Sequence, residues 1–190
     1  PRPETEEIVH KIYQVCKVFK VDRPIKILDL GTGSGCIAIA LKKMAKSTFD
    51  ITASDISPAA LKVARQNAKK HRTKIKFTKS DLFKNIKGKF DLIVANLPYV
   101  PKKVYGLNFD NLKYEPVSAL TDGTKSFQIY RRFFEQIGGH LSFRPVILLE
   151  IDPSSREFVT EYQKKFLPSA EIKFYKDFNN FWRYAEIKIS

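Results

Sequence analysis

A glycine-rich turn between an apolar strand and a helix constrains the fold of this chain most. Residues 25–30 read Ile-Lys-Ile-Leu-Asp-Leu, residues 31–35 read Gly-Thr-Gly-Ser-Gly, and a helical pattern follows from Cys36 to about Lys46. A strand, a glycine turn and a helix in this order are typical of open α/β sheets, in which the turn approaches a ligand closely. The sequence therefore predicts an α/β fold with a ligand site at this turn.

The rest of the chain continues the alternation of strands and helices. We predict further strands at about 50–54, 74–78, 90–95, 146–151, 171–175 and 183–189. Helices are predicted at 4–20 with Thr5 as cap, at 57–70 with Ser57 as cap and Pro58 in first position, at 126–137 and at 153–166, and a long loop at 100–125. This pattern predicts one domain, residues 1–190, with a doubly wound, mostly parallel sheet of seven strands and helices on both faces. Within this domain, residues 1–24 are expected to form an N-terminal linker segment and a helix that packs on the rest of the domain.

Size and composition exclude several classes of protein. The chain of 190 residues is 43% hydrophobic, which suffices for one packed core. We expect no signal peptide, and no apolar run approaches the roughly 20 residues that cross a bilayer. Cys16 and Cys36 lack the spacing of a metal or redox pair, so we expect no metal site. We expect a monomer in the cytoplasm that does not bind membranes, and the initial Pro1 suggests a piece of a longer chain.

The positive charge of the chain is concentrated in one segment. The net charge is +14, and no Asp or Glu occurs between Ile56 and Ser80. The cations of that segment are Lys62, Arg65, Lys69, Lys70, Arg72, Lys74, Lys76 and Lys79. The segment favours a polyanionic partner such as nucleic acid, and a solvated lysine-rich surface is an equal alternative.

The spacing of the glycine turn distinguishes among ligands. A dinucleotide turn would have Gly or Ala at position 36, where this chain has Cys36, and no Lys follows to complete a phosphate-binding loop. Asp29 stands two residues before the turn. An acid at this place resembles the S-adenosylmethionine loop of Rossmann-like methyltransferases, in which the carboxylate helps to hold the charged amino-acid end of the cofactor.

The next two strands end in residues that suit the remainder of that cofactor. Asp55 can accept hydrogen bonds from both ribose hydroxyls. Asp81 can reach the exocyclic amine of adenine, and Leu82 can pack on the ring. Either acid alone is equally explained as a turn or helix cap. The candidate cofactor residues are Asp29, Gly31, Thr32, Gly33, Ser34, Gly35, Asp55, Asp81 and Leu82.

A second candidate site follows the fourth strand, where the chain reads Asn96-Leu97-Pro98-Tyr99. Asn96 can accept one N–H of a planar amine or amide through its side-chain oxygen, and the Leu97 carbonyl can accept the other. Pro98 restricts Leu97 to extended conformations, and Tyr99 can lie on the flat substrate. We predict Asn96, Pro98 and Tyr99 as catalytic residues and all four as substrate-binding residues. A plain turn is the alternative for the tetrapeptide alone.

Taken together, these motifs resemble the catalytic domain of the release factor glutamine methyltransferase family (HemK/PrmC). Further matching segments are Pro1 to Glu6, Tyr114-Glu115-Pro116, Ala119-Leu120 and Leu148 to Ile151. The resemblance implies an S-adenosylmethionine-dependent Rossmann-like methyltransferase. Its substrate would be the glutamine amide in the Gly-Gly-Gln loop of class 1 peptide chain release factors, methylated at N5. It also implies that Asn96 borders the cofactor and that the opening segment, with Thr5 and Arg2, lies beside the cofactor and active site.

Several features depart from the family pattern. The family usually has Asn-Pro-Pro-Tyr, whereas Asn-Leu-Pro-Tyr is typical of rRNA adenine dimethyltransferases. The stretch 138–145 is longer than usual, the turn at 177–182 is unusually aromatic, and the helical domain that contacts the release factor is absent from these residues. Adenine methylation and a non-catalytic RNA- or ribosome-docking module therefore stay open as alternatives. Glutamine is favoured because the ribose acid is Asp55 rather than Glu and the Pro-Arg-Pro-Glu-Thr opening is present.

Overall fold

A computed structural model describes residues 3–17 (side chains from Glu7 onward), 19, 22–45, 48–97 and 127–189. In these residues seven strands form one sheet: β1 (Ile25–Leu30), β2 (Phe49–Asp55), β3 (Lys76–Lys79), β4 (Phe90–Asn96), β5 (Leu141–Glu150), β6 (Ala170–Lys176) and β7 (Trp182–Ile189). The helices are α1 (Pro3–Cys16), α2 (Cys36–Ala45), α3 (Pro58–Lys70), α4 (Gln128–Ile137) and α5 (Arg156–Phe166), with short 3₁₀ turns at Gly138–His140 and Pro153–Ser155.

The strands lie in the order β3-β2-β1-β4-β5-β7-β6. Neighbours from β3 to β5 are parallel, and β7 runs antiparallel to both β5 and β6. This arrangement confirms the predicted mostly parallel, seven-stranded sheet. Because β1 to β5 all run the same way, they end at one edge, which we call the carboxyl edge. Leu30, Asp55, Lys79, Asn96 and Glu150 are the last residues of these strands.

The central strands are apolar throughout because both faces of the sheet are covered. Successive residues of β4 pack on opposite sides: Leu92 and Val94 join a cluster with α1 and α2, whereas Ile93 and Ala95 join a cluster with α4 and α5. Helices therefore lie on both faces, as predicted. Among the described helices, none is long and apolar enough to cross a membrane.

Helix α1 is shorter than predicted. It begins at Pro3 and ends at Cys16 rather than near residue 20, so Thr5 lies inside the helix and is not its cap. Proline suits the first helical position, since the missing N–H would have no helical partner there. Ile8 and Ile12 of this helix are fully buried. Glu7 accepts hydrogen bonds from the Tyr184 hydroxyl and the Phe178 N–H, both at 3.2 Å, which join α1 to the β6–β7 hairpin.

Strand β5 begins five residues before its predicted start at Val146. Pro145 and the polar residues before it are not typical of a central strand. The structure accommodates them at a register shift against β4, between Phe90 and Leu92, with Arg144 at φ 52°. The unusually long stretch before this strand is thus partly strand. The predicted loop at 100–125 lies outside the described residues.

Asp91 joins three strands at the edge opposite the carboxyl edge. It accepts hydrogen bonds from both terminal nitrogens of Arg23 at 2.6 and 2.8 Å, from the Lys26 N–H at 2.9 Å and from the Ser142 hydroxyl at 2.7 Å. Although burial opposes ionisation, these donors hold the pKa of Asp91 below its ordinary value. The carboxylate is therefore well satisfied and stabilises the sheet away from the candidate site.

Candidate functional site

The glycine turn connects β1 to α2 at the carboxyl edge. Its Gly31 and Thr32 N–H groups each donate to the Ser54 carbonyl at 2.9 Å, which fixes the turn against β2. Gly31 has φ +75°, and a Cβ added there would lie 2.8 Å from the backbone oxygen of Asn96. Gly33 has φ +55°, and a Cβ there would meet nothing within 4 Å. The turn is thus packed tightly against β4 at Gly31 and open at Gly33, where a ligand can approach the backbone.

Asp29 is a buried carboxylate with one unsatisfied oxygen. The residue is 1% exposed. Its Oδ2 accepts from the Thr32 hydroxyl at 2.6 Å and the Ala38 N–H at 3.2 Å. Its Oδ1 has no hydrogen-bond partner in the part of the chain that the structure describes. Burial raises the pKa of Asp29 to about 6, against the opposing effect of those two hydrogen bonds. A buried acceptor without a donor is costly, so this oxygen favours a cationic or hydrogen-bonding ligand nearby.

Asp55 ends β2 and is held by two backbone N–H groups. Its Oδ2 accepts from Gly33 at 2.9 Å and its Oδ1 from Ser57 at 2.8 Å. Each carboxylate oxygen keeps a further lone pair, and the side chain is only partly buried. The turn-capping role and the predicted ribose role are therefore compatible. Ser57 caps α3 by accepting from the Ala60 N–H at 3.2 Å, and Pro58 begins that helix, as predicted.

The residues predicted at the adenine have partners within the protein. Asp81 accepts a hydrogen bond from Arg132 of α4 at 2.6 Å, and both side chains are about two-fifths exposed. Leu82 has φ +48°, is 6% exposed and packs in the core, so only a small part of it can contact an adenine ring. Their cofactor roles stay predictions. Sequence reasoning missed Arg132, since it stands 51 positions from Asp81 and has no local signal.

Asn96 is the exposed last residue of a strand whose other six residues are buried. Leu97 follows it and is 4% exposed. Pro98 and Tyr99 lie outside the described residues, as does the side chain of Thr5, so their predicted roles stay predictions. In the turn, Thr32 is mostly buried and binds Asp29, while Ser34 is exposed and its carbonyl accepts from Asn67 at 2.9 Å.

The register of the sheet brings three of the predicted groups together. Leu30, which leads into the glycine turn, pairs with Ser54 of β2 and Ala95 of β4. Asp55 and Asn96 are each one residue further along, so they lie on either side of the turn. The Gly31 contact with Asn96 makes the two candidate sites direct neighbours.

Glu150 is the last residue of β5 and lies at the carboxyl edge, and no role was predicted for it from the sequence. It pairs in register with Asn96 on one side and Tyr184 on the other, and it is 6% exposed. Burial, the charge of Glu150 and the Glu7 hydrogen bond together raise the pKa of Tyr184. The available signal was an acid at the end of an apolar strand, the same signal that identified Asp29 within β1.

Residues 15–133 match the model of the methyltransferase small domain family. The release factor glutamine methyltransferase of Streptococcus pneumoniae is 39% identical over 93% of this chain, which covers 62% of that protein. That of Bacillus anthracis is 32% identical over 99% of this chain, which covers 68% of it. This chain belongs to the release factor glutamine methyltransferase family. It spans about three-fifths of the length of several of these relatives.

The fold of this family member is also found in solved structures. The ribosomal protein L11 methylase of Lactobacillus delbrueckii subsp. bulgaricus has a TM-score of 0.72 and 22% sequence identity, and the match covers 100% of this chain and 81% of that one. The likeness confirms the Rossmann-like methyltransferase fold predicted from the sequence.

S-adenosyl-L-methionine is the cofactor of this glutamine methyltransferase family, and the residues present fit it. The unsatisfied Asp29 Oδ1 suits a positively charged amino-acid end, and the open side of Gly33 leaves room beside the backbone. Asp55 has lone pairs for the ribose hydroxyls. We infer that the glycine turn, Asp29 and Asp55 would hold the cofactor beside Asn96.

The buried Asp29 predicts a pH-dependent stability. Its pKa is about 6 in the folded chain and 3.8 ordinarily, so the folded state holds the proton more tightly. Stability from this group is present at low pH and is lost as the pH rises from about 4 to about 6. The free energy of unfolding should fall by about 3 kcal/mol over that window.

Urea unfolding of the wild-type chain and Asp29→Asn, from pH 4 to pH 7 without cofactor, measures this effect. Subtracting the variant's curve removes the titration of other carboxylates, such as Asp91. A difference between the two curves that does not change with pH would contradict the assignment of the raised pKa to Asp29.

Proposed function

We propose that this chain transfers a methyl group from S-adenosyl-L-methionine to the side-chain amide nitrogen, N5, of the glutamine in the Gly-Gly-Gln motif of class 1 peptide chain release factors. The observation that carries the proposal is the position of Asn96. It is exposed at the end of a buried strand, and its backbone oxygen lies directly against Gly31 of the glycine turn. The relatives from Streptococcus pneumoniae and Bacillus anthracis, both release factor glutamine methyltransferases, support glutamine as the methyl acceptor.

The chemical difficulty is that an amide nitrogen is a poor nucleophile, because its lone pair is delocalised into the carbonyl group. When bound, the cofactor would supply an electrophilic methyl group on a positively charged sulfur; the carbon–sulfur bond breaks as the carbon–nitrogen bond forms, and S-adenosyl-L-homocysteine is the product. Asn96 would accept one N–H of the glutamine amide at its side-chain oxygen, and the Leu97 carbonyl would accept the other. Two acceptors in fixed positions turn the nitrogen lone pair toward the methyl group.

Positioning of this kind can account for most of the catalysis. Holding two reactants in an aligned geometry lowers a barrier by about 7–11 kcal/mol. The backbone of Asn96 is fixed by its pairing with β5 and by its contact with Gly31. This fixed backbone restricts the positions that the side-chain oxygen can take. The alkylated nitrogen loses its proton readily to solvent, and the mechanism needs no general base.

Adenine N6-methylation of rRNA or DNA is the second candidate, and Leu97 favours it. The Asn-Leu-Pro-Tyr sequence suits a flipped adenine, whose amine presents the same two N–H groups to Asn96 and Leu97. A non-catalytic docking module is the third candidate. Asp29, Asp55 and Asn96 are all present and lie together at the carboxyl edge, which argues against a lost active site.

Labelled cofactor separates these candidates. The purified protein, supplied with the N-terminal helical domain of the family, is incubated with methyl-labelled S-adenosyl-L-methionine and one of three acceptors: a class 1 release factor, the same factor with the motif glutamine replaced by alanine, or ribosomal RNA. We expect label only in the unmodified release factor. Label in RNA alone would establish the adenine activity instead. No cofactor binding in calorimetry, with no label in any acceptor, would favour the docking module.

A further inference from the structure

A strip of exposed cations covers the β3 side of the molecule. The basic strip comprises Lys62, Arg65, Lys69, Lys70, Arg72, Lys74, Lys76, Lys79, Lys84, Lys87 and Lys89. Residues 56–89 contain these eleven cations and one acid, Asp81, and so contribute +10 of the net charge of +14. The other 23 cations of the chain accompany 19 acids. A general enrichment in lysine would not produce this asymmetry.

The cations of the strip are available to a partner. All eleven side chains are exposed. None of them forms an ion pair within the described residues, and Asp81 is already paired with Arg132 of α4. Elsewhere Arg23, Lys11 and Arg183 have carboxylate partners. The strip therefore carries a positive charge that the described part of the protein does not neutralise.

The strip has a defined shape on the surface. It follows α3, which is about 20 Å long, then the edge strand β3, and then the connection to β4. Arg65, Lys69 and Lys74 line a groove with Phe77 between the helix and the strand. The Arg65 guanidinium lies 5.8 Å from the centre of the Phe77 ring. Lys79 pairs in register with Asp55, so the strip reaches the carboxyl edge.

The composition of the strip favours nucleic acid over protein. Protein interfaces are enriched in aromatic residues and depleted in lysine. The large exposed hydrophobic residues here are Ile56 and Val63, and neither is aromatic. Phosphodiester backbones are bound by rows of lysine and arginine without an apolar centre. We propose that the basic strip binds the phosphate backbone of RNA, without sequence preference. The choice of RNA rests on the proposed function, whose substrate acts in translation.

A charge-removal variant tests the proposal, with fluorescein-labelled single-stranded RNA of mixed sequence as the probe. The strip variant carries Lys62→Gln, Lys69→Gln and Lys76→Gln. The matched control carries Lys164→Gln, Lys165→Gln and Lys173→Gln, which remove the same charge from exposed lysines of α5 and β6 at the other edge of the sheet. Fluorescence anisotropy measures the Kd for this RNA at a series of salt concentrations from about 50 to 200 mM.

We expect the strip variant to lose at least about tenfold in RNA affinity and the control to change less than about twofold. The slope of log affinity against log salt should be shallower by about 2 in the strip variant, since each backbone contact with a single strand contributes about 0.7. Thermal unfolding followed by circular dichroism should show both variants folded, because the replaced side chains are exposed.

Three results would overturn the proposal. The first is RNA binding by the wild-type chain that does not depend on salt. The second is an equal loss of RNA affinity in the strip variant and the control. The third is a strip variant that loses affinity for a release factor but not for RNA. Methylation of release factor by the strip variant should remain at the wild-type rate. If the wild-type chain does not methylate the release factor, the proposed function is wrong. If the two variants bind RNA equally well, the proposed RNA binding by the basic strip is wrong.

Discussion

Asn96→Ala is expected to lower the turnover of release factor methylation by at least about 10²-fold while cofactor Kd stays within about tenfold. The side-chain oxygen of Asn96 would hold the reacting nitrogen, so its loss leaves the glutamine amide free to rotate. The backbone contact with Gly31 does not depend on this side chain. Single-turnover kinetics and calorimetry measure the two quantities separately.

Asp55→Ala is the matched comparison for this experiment. Asp55 is held by Gly33 and Ser57 on the other side of the turn, where the ribose is expected. This change should mainly weaken cofactor binding, and saturating cofactor should restore much of the rate. If Asn96→Ala reduced cofactor affinity as much as turnover, Asn96 would be chiefly a cofactor residue, and our assignment of its role would be wrong.

Gly31→Ala should be the most destabilising single substitution in the glycine turn. The new Cβ would lie 2.8 Å from the Asn96 oxygen, and the position has φ +75°. The left-handed conformation alone costs a non-glycine residue about 1–2 kcal/mol. The clash is with the backbone at the end of β4, which is held in place by its pairing with β5, so we expect a total loss of about 3 kcal/mol or more.

Gly88→Ala isolates the effect of the clash. Gly88 also has positive φ, at +93°, but a Cβ there would meet nothing within 4 Å. Its substitution should incur only the cost of the left-handed conformation, about 1–2 kcal/mol. Urea unfolding without cofactor compares the two variants. Equal losses of stability would mean that β4 can shift to accept an alanine side chain at position 31. Our conclusion that Gly31 and Asn96 are held rigidly together would then be wrong.

The local sequence predicted the structure correctly where interactions between neighbouring residues determine it. The β1 strand, the glycine turn and the Ser57-Pro58 start of α3 were predicted correctly, because apolar runs, glycine and helix caps act on near neighbours. The cofactor followed from the same residues, since the acid before the turn and the glycine spacing distinguish a cationic ligand from a pyrophosphate.

Contacts between residues that are far apart in the sequence could not be predicted in the same way. Arg132 binds Asp81 across 51 positions, and Glu150 acquires its neighbours Asn96 and Tyr184 only through sheet pairing. The early start of β5 was missed because Pro145 argues against a strand, and only the register shift against β4 accommodates it. Such features depend on which strands become neighbours, and periodicity along one strand does not determine this.

The close approach of Gly31 to Asn96 has an evolutionary consequence. With 2.8 Å between an added Cβ and a carbonyl oxygen, neither backbone segment can change its path without disturbing the other. A lineage that keeps the cofactor must therefore keep the path of β4 as well. A change of methyl acceptor, for example between an amide and a purine amine, would have to come from side chains and from the residues after Leu97. We expect related enzymes with different acceptors to differ there and to share the Gly31–Asn96 contact.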